Sequence, residues 1–181
     1  MRTWVGWLVI ITVVIVVLGL IGSPIYIGPA TNNDENPTVD VVLVLGPPTN
    51  ERMQTAQKMI DEGRATAMMV SLDPDATEYT IAQSTCTARQ DFEIYCKKPI
   101  PFSTRGEAEW LAAMTQEHKW SSAAVVTFRP QITRARALIN RCDVDGLKMI
   151  DSGEEIIPVE WFYQYAYQTL GFIKMGPAQG C

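Results

Sequence analysis

Residues Val39 to Leu45 read VDVVLVL and run directly into Gly46-Pro47-Pro48. This short segment is almost continuously apolar and rich in β-branched side chains. It does not alternate, so it predicts a strand buried on both faces, as in a parallel sheet. The next segment opens at Asn50-Glu51-Arg52. There Met53, Ala56, Met59 and Ile60 recur at helical spacing, and Gly63 supplies a C-cap. Ala67 to Leu72, AMMVSL, is a second strand. Strand, helix and strand in this order make a βαβ unit.

The alternation continues outward. The stretch from Asp73 to Phe102 is irregular, and Thr77 to Thr85 fits either a strand or a helix. Ile94 to Cys96 reads as a third strand. Ser103 or Thr104 can cap a helix carrying Glu107, Trp110, Leu111 and Met114, and Thr104 to Glu107 fits a capping box. Ala123 to Phe128 is a further strand, and Pro130 suits the first turn of the helix after it. Leu147 to Ile150 is the last strand. Val159 to Phe172 is an aromatic helix whose rings read as core packing, with a place beside a bilayer as the other reading. The expected fold is α/β: a three-layer Rossmann-like sandwich with a mostly parallel sheet, over residues 39–181.

The amino end reads differently. Trp4 to Gly22 is nineteen residues without an ionisable side chain, roughly 28 Å of helix against a hydrocarbon core of roughly 30 Å. Residues 1–27 are therefore expected to form a single transmembrane helix, with 28–38 as a linker. Arg2 is the one charge before the run, which favours a single-pass plasma-membrane protein with its domain outside. A cleaved signal peptide with a site near Ala30 is the alternative.

A formal net charge of -5 and the lack of a Lys/Arg-rich block argue against nucleic acid as a partner. The cysteines are Cys86, Cys96, Cys142 and Cys181, with no CxxC pair. His118, in QEHKW, is the single histidine and reads as an exposed loop residue, so no metal site is expected. An even cysteine count in an outward-facing domain suggests two disulfides. Three pairings are open. The short separation of Cys86 and Cys96 makes that pair, with Cys142–Cys181, the preferred one.

In parallel folds the ligand lies beyond the carboxyl ends of the strands, where the strand order reverses. The candidates there are Gly46, Asn50 and Arg52, then Ser71 and Asp73, then Thr127, Arg129, Gln131 and Arg134, with Arg105 and Glu107 from the helix that begins near Thr104. Helix-start amides and arginines together form a cradle for an anion. Arg134, one turn after the strand end, is placed to reach back over the crevice, and Glu107 reads as a capping residue with a catalytic or substrate role as the alternative. Gly46-Pro47-Pro48 is not GxGxxG, and no cofactor is assigned.

These pieces resemble, in their order, the YdcF-like family of bacterial envelope proteins related to SanA and ElyC. They are DVVLVLG at 40–46, Arg52 with its helix to Gly63, MMVSL at 68–72, PFSTRGEAEWL at 101–111, VVTFRPQITRAR at 125–136 and Arg141-Cys142. The resemblance implies an α/β fold with a strand-end pocket of Gly46, Arg52, Ser71, Thr104, Glu107, Thr127 and Arg134. It also implies a role in the cell envelope and peptidoglycan metabolism. The expected function is a membrane-anchored protein acting on or binding an anionic, phosphorylated or lipid-linked envelope precursor, with Arg52 and Arg134 holding phosphate, Glu107 as acid/base or sugar-hydroxyl partner, and the bilayer as a further partner. The alternative is a non-catalytic binding or scaffold module. Many members carry histidine where this chain has Gln131, which cannot act as a base near neutral pH.

Overall fold

The computed structural model describes residues 2–27, 37–73, 75, 77–175 and 181. Five parallel strands form one sheet: β1 (Val41–Val44), β2 (Ala67–Ser71), β3 (Glu93–Lys97), β4 (Ala123–Thr127) and β5 (Leu147–Asp151). Their spatial order is β3-β2-β1-β4-β5, so the order reverses between β1 and β4. The helices are α1 (Arg2–Ile27), α2 (Asn50–Asp61), α3 (Thr80–Thr87), α4 (Thr104–His118), α5 (Ile132–Ile139) and α6 (Pro158–Met175).

Side chains alternate across each strand, and both faces find helices. Val41, Leu43, Met69 and Val125 pack against Ala108, Leu111, Ile132, Ala135 and Ile139 of α4 and α5. Val42, Val44, Met68, Val70 and Val126 pack against Met53, Ala56, Met59 and Ala82 of α2 and α3. This is the three-layer sandwich, and it explains why β1, β2 and β4 read as unbroken apolar runs: each is buried throughout. The ambiguous stretch after Asp73 contains α3, where Ala82 alone is buried. The rings of α6 are not core. Phe162, Tyr163 and Tyr167 are exposed, and the buried side chain of that helix is Gln168. His118 closes α4 and stacks on Trp120 at 4.5 Å, so it is half-buried and not a loop residue.

The amino-terminal helix forms, and its apolar side chains between Trp4 and Leu18 lie largely exposed. Among the described residues, however, no helix is long and apolar enough to cross a membrane. The expectations of a transmembrane anchor, of the bilayer as a partner and of a single-pass plasma-membrane location are corrected accordingly. Most of the linker expected at 28–38, and the cleavage site near Ala30, lie outside the described residues.

Two disulfides are present, Cys86–Cys96 and Cys142–Cys181. The first ties α3 to edge strand β3. The second ties the last residue to the turn after α5, closing a separation of 39 residues, a constraint of the kind worth roughly 2–4 kcal/mol.

Candidate functional site

Strands β1 and β4 are neighbours at the reversal of strand order, and their chains diverge after Leu45 and Thr127 to opposite faces of the sheet. The divergence opens a cavity of about 1270 Å³. Gly46, Arg52, Thr104, Glu107, Gln131 and Arg134 all border it, whereas Ser71 and Thr127 are fully buried behind it. The crevice thus gathers groups from β1, α2, α4, α5 and the turn after β4. Its outer wall is aromatic, with Tyr79, Phe102, Phe128, Tyr163 and Tyr167.

Glu107 sits in the first turn of α4, 3% exposed. Its position follows from the loop before it. Ser103 caps the helix through its hydroxyl, with Gly106 N–H as donor. Gly106 then lies so close to Pro101 that a Cβ would stand 2.0 Å from its carbonyl oxygen. The helix start is thereby pressed under the 98–103 loop, and Glu107 turns inward to the end of β1. Gly46 N–H donates to Glu107 Oε1 at 2.7 Å. The Ser71 hydroxyl faces the carboxyl and favours its charged form, yet makes no hydrogen bond of good geometry. Burial dominates and raises the Glu107 pKa above its ordinary value. The contacts with Ser71 and Gly46, and the charges of Arg52 and Arg134, oppose that shift.

Arg134 projects from α5 toward the same carboxyl. Its Nε donates to Gln168 Oε1 at 2.7 Å, its guanidinium lies 6.0 Å from the Tyr167 ring centroid, and its stem packs against Gly171 of α6. Burial lowers its pKa from the usual arginine value, while Tyr167 and Glu107 act to raise it. Gln131 is held from both sides. Thr127 Oγ1 donates to its Oε1 at 3.0 Å, and its Nε2 donates to Thr104 Oγ1 at 3.1 Å. The amide therefore fastens β4 to α4 at the floor of the crevice, with a wholly neutral hydrogen-bond network.

Arg52, expected to hold phosphate, borders the crevice as a buried side chain with partners inside the protein. It is 2% exposed; its Nε donates to Glu154 Oε1 at 2.6 Å and its Nη1 to Leu45 O at 3.0 Å. Its guanidinium also lies 4.9 Å from the centre of the Phe128 ring. Glu154, in the segment after β5, escaped the sequence reading, as did Phe128, Tyr167 and Gln168. The strand-end rule applied to β5 would have flagged Ser152-Gly153-Glu154. Nothing in the chain pattern marks the others.

Among the described residues, no group of three or more His, Cys, Asp or Glu side chains is placed to hold a metal ion. The chain matches no protein-family model, no curated protein and no solved structure. With no matching family and no membrane-crossing helix among the described residues, the expected membrane-anchored envelope protein acting on or binding an envelope precursor is corrected, together with its envelope-scaffold alternative. What stands is a disulfide-bonded, five-stranded parallel α/β domain with a polar crevice at its strand ends.

Proposed function

We propose that this domain is an enzyme acting on a small, polar, anion-bearing molecule in the strand-end crevice, with Glu107 exchanging a proton with it. The observation that carries this reading is Glu107 itself. It is a buried carboxyl with a raised pKa, fixed by the Gly46 amide, bordering a cavity that also holds Arg134. A carboxyl whose pKa burial raises holds its proton more readily and is suited to exchange it with a ligand. Arg134 supplies positive charge for the anionic part of the ligand. Gln131 orients Thr104 and Thr127 and takes no proton itself. Membership of the YdcF-like family belongs to the same proposal, supported by the order in which the matching segments occur.

The test is turnover of a panel of small phosphate and carboxylate esters, followed by mass spectrometry of the products. Glu107→Gln keeps the side chain's size and the acceptor for Gly46 N–H. It should lower the rate about 10²-fold or more while leaving ligand retention intact. Equal turnover by the wild-type chain and Glu107→Gln would sink the proton-transfer role. Retention of a ligand with no product from either would make the crevice a binding site alone.

A further inference from the structure

We propose that the Glu154 carboxylate is a built-in occupant of an oxyanion subsite, and that a carboxylate or phosphate group of the ligand displaces it. The subsite adds to the reading above, because it rests on a ligand entering the crevice. Three donors from separate places converge on one oxygen, Glu154 Oε1: Thr49 Oγ1 at 2.8 Å, Arg52 Nε at 2.6 Å and Ser152 Oγ at 3.1 Å. One guanidinium and two hydroxyls around a single oxygen make the donor set that an incoming carboxylate or phosphate oxygen requires. Arg52 and Thr49 border the same cavity as Glu107 and Arg134, and so does Glu154.

The donors are fixed and the occupant is not. Arg52 is 2% exposed and stays anchored to Leu45 O and the Phe128 ring whether or not Glu154 is there. Ser152 is buried, and its N–H donates to Thr127 O at 2.9 Å, pinning it to β4. Glu154, by contrast, is carried on residues 152–157, which form neither helix nor strand. Gly153 just before it has φ +74° and open space around it, so the chain can turn there without moving Ser152. A displaced Glu154 reaches solvent, whereas Arg52 cannot leave. An anionic ligand therefore replaces one charge-assisted contact with another and leaves no buried charge unpaired. With Glu154 in place, neutral molecules find the cradle closed, which makes the exchange a filter for anions.

The experiment titrates the whole chain with inorganic phosphate and, in parallel, with acetate, while the backbone amides of 153–156 are followed by NMR. Binding of either anion should shift the Gly153 and Glu154 amides and lower their heteronuclear NOE as the segment is released. Glu154→Ala, checked for a cooperative thermal transition, should bind the same anion at least about tenfold more tightly, since it has no internal competitor. Arg52→Lys in the Glu154→Ala background should lose that gain. Anion binding with the 153–156 amides unmoved would overturn the proposal, as would equal affinity of wild-type and Glu154→Ala chains or no binding by either. The Glu107→Gln chain separates the two readings. It should show the same anion-dependent release of Glu154 even if its turnover proves unaffected.

Discussion

At Glu107, burial and hydrogen bonding pull the carboxyl in opposite directions, and burial wins. The consequence for stability has a definite sign. The folded-state pKa lies above the ordinary value of 4.5, so the native state binds this proton more tightly than the unfolded chain. The resulting stabilisation is fully present below pH 4.5 and is lost as pH rises through the folded value. Glu107→Gln removes the titration. Its melting temperature relative to the wild-type chain should therefore climb as pH rises above 4.5 and then level off. A constant difference across that range would mean that the carboxyl is not perturbed. Glu107 was legible in the sequence because it sits in the first turn of a capped helix after a strand, where parallel folds collect polar groups. Glu154 was not. A glutamate in a short segment after the last strand looks solvated, and its partner Arg52 is 102 residues away.

The elements differ in how openly they declare themselves, and burial is the reason. β1, β2 and β4 are covered on both faces and read as apolar runs. β3 is an edge strand with exposed or half-buried side chains throughout, so its pattern is weak. α3 is eight residues long with one buried side chain, which left helix and strand equally open in the sequence. α6 misled for the opposite reason: its rings suggested core, but it lies outside the sandwich, against α1, α5 and the Arg129–Gln131 turn. The junction of β3 and α4 makes the sharpest element-scale test. Gly106→Ala would place a Cβ 2.0 Å from the backbone oxygen of Pro101, so either the loop or the first turn of α4 must shift. The cost should be on the order of 1–3 kcal/mol, read from denaturant unfolding. The shift should also move Glu107 off the Gly46 amide. An unchanged midpoint would show that the junction is looser than described.

At the scale of the whole molecule, one reversal of strand order organises everything the crevice contains. β1 delivers Gly46 and anchors Arg52, the turn after β4 delivers Gln131, and α5 delivers Arg134. α4 then lays Glu107 against Gly46 at the end of β1, facing Ser71 at the end of β2. That gathering of distant residues was readable from the βαβ pattern, because a parallel sheet with helices on both faces has few alternatives. The ion pair of Arg52 with Glu154 was not readable, since it depends on the path of a segment without periodicity. This topology holds Glu107 as a buried carboxyl whose pKa is raised by burial and opposed by the charge of Arg134. The most direct measurement is a pH titration of the Glu107 side-chain carboxyl by carbon NMR, in the wild-type chain and in Arg134→Ala. The midpoint should lie above 4.5 in the wild-type chain and rise further when the Arg134 charge is removed. A midpoint at or below 4.5, or one indifferent to Arg134, would contradict it.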